Sequence, residues 1–195
     1  MFIKMTKTQN ERRKRILESA GIHFGKMGYY AADVDVIAKE AGVGKGTLYR
    51  YFANKEELFF ETVSHFSEKM YSEIVSKIEK VKMERFVEAL FEAHEDYYSR
   101  HKETYKLVAK AVSQMPEKLV MLFHQIHRQK MEEIHKKLEN GVEKGVFKKI
   151  NTEIMLKMLD AMANIIFLTK ESGTEYDTEE IKTTFKTVFN NGLIA

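Results

Sequence analysis

The stretch that decides the fold is GYYAADVDVIAKEAGVGKGTLYRYFANKEEL, which runs from Gly28 to Leu58. Asp33 is placed to cap a short helix whose apolar residues recur at three- and four-residue spacing. Gly42 follows that helix at the position where a left-handed residue often ends one. A further short helix is predicted from about Gly44 to Phe52. Two short helices separated by a glycine-containing turn indicate a helix-turn-helix.

The second of these helices has one side for a core and one side suited to DNA. Leu48 and Phe52 are predicted to face inward. The outward residues are then Lys45, Thr47, Tyr49, Arg50 and Tyr51. Lys and Arg contact phosphate or guanine, Thr contacts a thymine methyl, and Tyr hydroxyls bond phosphate. Lys55 adds a further base at the amino end of the next helix, where the free N–H groups favour anions.

Helical periodicity continues on both sides of this stretch. Thr8 and Glu11 have the spacing of a capping box for a first helix of about four turns, which Gly25 and Gly28 bracket at its end. Asn54 is predicted to cap a long helix of about six turns. Further helices are expected at about 84–100, 103–113, 117–143, 152–171 and 178–191. The fold class is therefore all-α, with about nine helices.

Two domains are expected, joined without a flexible linker. Residues 1–54 are predicted to form the helix-turn-helix DNA-binding domain. Residues 55–195 are predicted to form a helical ligand-binding and dimerisation domain. Because no Gly/Pro/Ser-rich segment separates them, the long helix should couple the two stiffly.

Basic residues are concentrated in the first third of the chain. The whole chain holds 32 Lys/Arg and 29 Asp/Glu, and residues 1–60 contain eleven of these bases and seven of these acids. The excess base fits a polyanionic partner for the N-terminal part, and it also fits ordinary scatter. No cysteine is present, which excludes disulfides and thiolate zinc sites. The start of the chain lacks an apolar stretch of signal length, and no segment has the roughly 18 apolar residues of a membrane span, so we expect a cytoplasmic protein with no membrane partner.

The predicted helix at 152–171 is apolar around most of its circumference, so it must be buried on most sides. One side can face the core of its own chain, while the other faces either a second copy or more of the same chain. Its place next to last in the chain favours a homodimer built as a four-helix bundle. The predicted dimer interface consists of Met158, Met162, Ile165, Ile166, Phe185, Val188 and Phe189.

Aromatic, His and Met side chains of the C-terminal part suit a mostly apolar ligand cavity. The predicted ligand-binding residues are His94, Tyr97, Tyr98, Tyr105, Phe123, His127 and Met162. For each of them singly, core packing is the likelier explanation. As a group they favour a small apolar or amphipathic effector.

A histidine spacing and a glycine-rich stretch each resemble a functional motif without completing it. His124, His127 and His135 have helical spacing, but without cysteine or a clear acidic partner we predict neither a metal nor a cofactor. The stretch 42–47 looks like a phosphate-binding loop. That motif requires Ser or Thr directly after the lysine and a preceding strand, whereas Gly46 follows Lys45 and a helix precedes.

The deciding stretch closely resembles the DNA-binding domain of TetR-type repressors. The matching residues are Gly28-Tyr29, Val34, Ile37-Ala38, Glu40 to Val43, Lys45 to Tyr49, Tyr51-Phe52 and Lys55 to Leu58. The resemblance covers roughly residues 8–60. Beyond it, the chain resembles the family in helix number and in its Gly141-x-x-x-Gly145-Val-Phe turn.

This resemblance implies a homodimer with two recognition helices in successive major grooves of a palindromic double-stranded DNA operator. Tyr51 and Lys55 would hold phosphates, and Arg50 would reach a base or a phosphate. The residues placed against the groove and backbone are Gly44, Lys45, Gly46, Thr47 and Tyr49. Effector binding would tilt the long helix at 55–80 and change the distance between the recognition helices, which releases the operator.

The chain departs from the family pattern at Ala32 and Asp33, where hydroxyl side chains are usual, and at Gly44, where Ser is frequent. Fewer phosphate contacts should weaken non-specific affinity. The basic run at residues 12–15 compensates if part of it faces the duplex.

We therefore predict a sequence-specific DNA-binding transcriptional repressor that is not an enzyme. The alternative is a helical small-molecule-binding enzyme or carrier with no DNA role. A third possibility is a helical adaptor whose 152–191 surface binds another protein. Salt-sensitive retention on heparin discriminates, because a DNA binder shows it and the others need not.

Overall fold

A computed structural model of the chain describes residues 6–172 and 177–193. Over these residues it contains ten α-helices, one short 3-10 turn and no strand, which confirms the all-α class. The helices are α1 (Lys7–Ala31), α2 (Val34–Glu40), α3 (Lys45–Tyr49), α4 (Lys55–Ile78), α5 (Phe86–Arg100), α6 (Lys102–Ala109), α7 (Ala111–Gln114), α8 (Glu117–Glu143), α9 (Thr152–Ser172) and α10 (Thr178–Leu193). Within these helices, the side chains at 118, 126, 127, 130, 162–164, 166–172, 178, 190 and 193 are outside the description.

The chain divides into two compact units. The first consists of residues 1–68 and 103–126, and the second of residues 69–102 and 127–195. The division passes within α4 and joins α6, α7 and the start of α8 to the N-terminal helices. It is therefore a different division from the expected domains 1–54 and 55–195, which stay a prediction.

The first helix begins earlier and ends later than the sequence analysis predicted. Thr6, not Thr8, is the N-cap: its hydroxyl accepts from the Gln9 backbone N–H, and the Gln9 side chain accepts from the Thr6 N–H at 2.8 Å. The helix runs through both expected stop signals. Gly28 has φ of 77° and kinks it, and Gly25 lies against α6, where a Cβ would stand 2.1 Å from the Glu103 carbonyl oxygen.

The core of the first unit joins α1 to the helix-turn-helix and to the start of α4. Phe24 of α1 and Phe59 of α4 meet edge to face with ring centroids 5.0 Å apart. Leu48 and Phe52 are buried, as predicted. An ion pair between Arg13 and Glu61, 2.6 Å apart, also links α1 to α4. The helix-turn-helix is thus held against α1 and α4 mainly by apolar burial, the dominant favourable term in folding.

The second unit packs α9 and α10 against α5. Phe91 of α5 contacts Phe185 of α10 with ring centroids 5.9 Å apart. Lys137 of α8 donates to the carbonyl of Glu79 at 2.8 Å and so satisfies the carboxyl end of α4. Burial lowers the pKa of Lys137. The turn after α8 has Gly145 at φ of 68°, a conformation that favours glycine.

Candidate DNA-binding site

The helix-turn-helix is assembled by local hydrogen bonds. Asp33 caps α2, and its carboxylate accepts from the Asp35 backbone N–H at 2.8 Å, as the sequence predicted for the cap. Gly42 adopts φ of 68° in the turn. The Val43 N–H donates to the Ala38 carbonyl at 3.0 Å and closes the carboxyl end of α2. The N-cap of α3, Gly44, offers no side-chain bond, so the amino end of this helix keeps backbone donors for another acceptor.

The outer side of α3 is open to solvent. Leu48 is fully buried, whereas Tyr49 is 38% exposed despite its size. Lys45 and Arg50 are exposed as well, and Thr47 and Tyr51 are half-buried. This distribution gives the helix one anchored side and one side of basic and hydroxyl groups. That is the surface expected to enter a major groove.

Two glycines of this surface have no steric reason within the chain. A Cβ placed on Gly44 or Gly46 would have no atom within 4 Å among the residues that the structure describes, and neither glycine has a positive φ. Gly25, by contrast, is required because a backbone carbonyl occupies the space of its Cβ. Inside a helix, glycine is less stable than alanine by roughly 0.5–1 kcal/mol, a cost that applies to Gly46 and not to Gly44, the N-cap, where glycine is common. The choice at α3 therefore fits close approach by something outside the chain.

Lys55 is fixed at the amino end of α4. Its Nζ donates to the Tyr30 carbonyl at 3.2 Å and lies 5.1 Å from the centre of the Tyr29 ring. Asn54 caps the same helix end and accepts from the Glu57 N–H at 2.8 Å, as predicted. The sequence analysis did not single out Tyr29 and Tyr30 as the support of this lysine. The two consecutive tyrosines after Gly28 were the only sequence feature that could have indicated this support for Lys55.

Lys45 has an acidic neighbour that the sequence analysis also missed. Its Nζ lies 2.9 Å from the Asp35 carboxylate, and both side chains are more than half exposed. The hydrogen bond from Lys45 to Asp35, together with the negative charge of Asp35, raises the lysine pKa. The two residues are ten positions apart on different helices. Only the geometry of the turn brings them together.

The basic run at residues 12–15 is divided by the fold. Arg13 is turned toward the unit, where its guanidinium bonds Glu61 and lies 5.4 Å from the centre of the Phe52 ring. Arg12, Lys14 and Arg15 are exposed and line an open groove beside the carboxyl end of α2. Three of the four bases therefore remain at the surface. Whether they face a duplex stays a prediction.

The predicted ligand-binding residues are distributed over both units. In the second unit, Tyr97 and Tyr98 are buried on α5, and His94 is fully buried there. Desolvation lowers the His94 pKa to about 4, opposed by the negative charge of Asp160. The first unit contains Tyr105 and Phe123, both buried. The side chains of His127 and Met162 lie outside the described residues. A single site built from this set stays a prediction.

The predicted dimer residues separate into exposed and buried members. Met158 is 52% exposed, Ile165 is 42% exposed and Val188 is 61% exposed. Phe185 is half-buried against Phe91 of its own chain. Phe189 is 6% exposed, so it has little surface to offer a partner. The side chains of Met162 and Ile166 lie outside the described residues.

Within residues 6–172 and 177–193, the structure contains no group of three or more His, Asp or Glu side chains placed to hold a metal ion. No helix in that part is long and apolar enough to cross a membrane.

An all-helical protein with an exposed basic helix on a helix-turn-helix frame belongs to the class of DNA-binding regulators. Residues 16–62 match the family model of bacterial regulatory proteins of the tetR family. The HTH-type transcriptional regulator YhgD of Bacillus subtilis is 31% identical over 200 residues, which cover 95% of this chain and 98% of that protein. The chain therefore belongs to the TetR family and is a DNA-binding transcriptional regulator.

Two solved structures show the same fold at low sequence identity. A transcriptional regulator FadR from Bacillus subtilis, in complex with stearoyl-CoA, has a TM-score of 0.79 at 18% identity, with 92% of this chain and 98% of that chain covered. A transcriptional regulator from Saccharomonospora viridis, in complex with choline, has a TM-score of 0.80 at 17% identity, with 96% and 100% covered. The similarity therefore extends from the helix-turn-helix through the C-terminal helices.

Proposed function

We propose that this regulator is a cytoplasmic repressor that binds a palindromic operator as a homodimer and is released by a small apolar or amphipathic effector. The observation that carries the DNA contact is the outer side of α3. Lys45, Tyr49 and Arg50 are exposed there. Gly44 and Gly46 leave the helix surface bare. A bare helix end flanked by bases suits a phosphate backbone at close range.

The DNA contact is tested by a genomic binding selection with the purified full-length chain, followed by a gel shift on the best fragment over a range of salt. We expect a specific, salt-sensitive shift on a palindrome. If the ligand-free protein selects no specific fragment at any salt concentration, the proposed operator binding is refuted.

Arg50→Gln locates the contact on α3. We expect it to weaken operator binding by roughly fivefold to 150-fold, the cost of about 1–3 kcal/mol for a lost base contact. Arg128→Gln is the matched control, because Arg128 is also an exposed arginine but lies on α8 in the second unit. Equal losses in both variants would place the DNA contact elsewhere.

The homodimer rests on apolar side chains that the single chain leaves exposed. Ile154, Met158 and Ile165 lie on α9 at helical spacing, each more than 40% exposed. Val188 presents another apolar side chain on α10. Soluble monomers rarely leave contiguous apolar patches of this kind uncovered. A second copy of the same two helices covers them with a self-complementary surface, the usual way in which homodimers form.

The effector class rests on the buried side chains of the C-terminal part and on the ligands of the related structures. The buried tyrosines of α5 and the long apolar α9 suit an apolar chain. Stearoyl-CoA, the molecule bound to the related FadR, is a suitable first probe. We expect stearoyl-CoA to release the operator in the gel shift at a concentration where choline does not. Release by choline alone would refute the apolar effector.

A further inference from the structure

The ion pair between Lys45 and Asp35 lies on the surface proposed to meet DNA. The Lys45 ammonium and the Asp35 carboxylate are 2.9 Å apart, with side-chain exposures of 55% and 57%. Ion pairs this exposed contribute little to folding stability. An acid beside a phosphate-binding surface also repels the duplex. As an acid in the first turn of α2, Asp35 favours that helix through the helix dipole, but this role does not require the bond to Lys45.

We propose that Asp35 is a specificity-determining residue that positions Lys45 toward base edges and keeps it from binding phosphates freely. This inference rests on the proposed DNA-binding surface. A lysine ammonium has three donors, and the bond to Asp35 uses one of them. The remaining donors are then held in a restricted set of directions. An untethered lysine is a flexible point charge that reaches any nearby phosphate.

The two kinds of acceptor respond differently to the carboxylate. Phosphates carry a full negative charge, so Asp35 weakens every contact that Lys45 makes with the backbone. Guanine O6 and N7 are uncharged, and they suffer much less from a neighbouring acid. Asp35 therefore lowers sequence-independent binding more than base readout, which raises the ratio of specific to non-specific affinity.

The other groups around Lys45 do not duplicate this role. Asp33 acts on Lys45 through its charge, with an effect smaller than that of Asp35. The Asp33 carboxylate already accepts from the Asp35 backbone N–H as the cap of α2. Asp33 thus fixes the first turn of α2, from which Asp35 reaches the lysine.

Asp35→Asn tests the inference on the full-length chain. Binding is measured against the selected operator fragment and against a duplex of the same length with scrambled sequence, over a range of salt. We expect non-specific affinity to rise about twofold to fivefold, the range for one exposed ion pair. The salt dependence should steepen by about one released counterion. The specificity ratio should fall by at least about twofold.

Glu133→Gln is the matched control. Glu133 pairs with Lys136 at 3.1 Å, the two side chains are as exposed as the pair in question, and they lie in the second unit. The variant changes the net charge equally, so it should leave both the salt dependence and the ratio unchanged. Equal behaviour of the two variants would overturn the inference, because net charge alone would then explain the result.

Lys45→Gln separates positioning from direct repulsion. In this background we expect Asp35→Asn to have no further effect on the specificity ratio, since the carboxylate acts through the lysine. A ratio that still falls would overturn the positioning role. If the unaltered chain itself prefers no fragment, the proposed function fails. If it selects an operator and Asp35→Asn leaves the ratio unchanged, this inference fails alone.

Discussion

Gly46→Ala is expected to change folding stability and DNA affinity in opposite directions. Gly46 is the second residue of α3, it is exposed, and no atom of the described residues lies within 4 Å of a Cβ built on it. Alanine therefore fits the free protein without strain. Because glycine costs a helix roughly 0.5–1 kcal/mol relative to alanine, the variant should be slightly more stable. In a chain of this size the melting temperature should rise by about 1–4 °C.

DNA binding should weaken because the added methyl occupies space that the proposed complex gives to the duplex. Forcing a methyl into a well-packed contact typically costs about 1–3 kcal/mol. That range corresponds to a loss of operator affinity of about fivefold to 150-fold. The loss should appear on the operator at constant salt, with the slope of affinity against salt nearly unchanged, since no charge is altered.

Thermal unfolding and a gel shift on the selected operator check both halves of this prediction. Gly192→Ala is the control for DNA binding, because Gly192 is equally open but lies on α10. It should leave operator affinity unchanged. Wild-type affinity in Gly46→Ala, with its fold intact, would refute the reasoning, because the amino end of α3 would then not approach a duplex closely.

Three further predictions concern assembly and stability. Met158→Asp should convert a dimer to a monomer in light scattering, whereas Met121→Asp, at an 83% exposed methionine of α8, should not; a dimer in both would place the interface away from α9. Gly28→Ala should lower the free energy of unfolding by about 1–3 kcal/mol, because φ of 77° and ψ of 169° suit only glycine; an unchanged urea midpoint would contradict this. Burial lowers the His94 pKa to about 4, so on acidification the unfolded state takes up the His94 proton at a higher pH than the folded state does. The free energy of unfolding should therefore be independent of His94 protonation above about pH 6.5, and it should fall by up to about 3 kcal/mol as the pH drops toward 4. In urea unfolding experiments, His94→Gln should not show this loss of stability between about pH 6.5 and 4. A variant whose free energy of unfolding falls with pH as steeply as that of the wild type would contradict the prediction.

The sequence predicted the helix-turn-helix closely because its signals are local. The burial of Leu48 and Phe52 follows from helical spacing, and the cap at Asp33 follows from its position before the first apolar residue. The start of α1 was misplaced because two capping boxes fit. Thr6 with Gln9 and Thr8 with Glu11 have the same spacing, and the helix begins at the earlier one.

Features that depend on tertiary structure left weaker signals. The expected single helix at 103–113 is broken between α6 and α7 at Lys110, where no glycine or proline marks the break. A helix that is apolar almost all round, such as α9, does not indicate which side its own chain covers. The structure answers this for Leu159, which is buried, and for Met158, which is exposed. The pairing of Lys45 with Asp35 depends on the angle between two helices.

Some glycines of this chain are required by its fold, and others are not. Gly25 and Gly28 have reasons inside the molecule, a backbone contact in one case and a positive φ in the other. Gly192 is also open and helical, so openness alone does not assign a role; it lies on α10, outside the proposed DNA-binding surface. Gly46 is open, helical and near the start of α3, so the chain loses stability there without any internal gain. A residue that lowers stability and serves no contact of its own chain is best explained by a contact outside it. For Gly46, whose neighbours Lys45 and Tyr49 are exposed, we propose that this contact is the duplex.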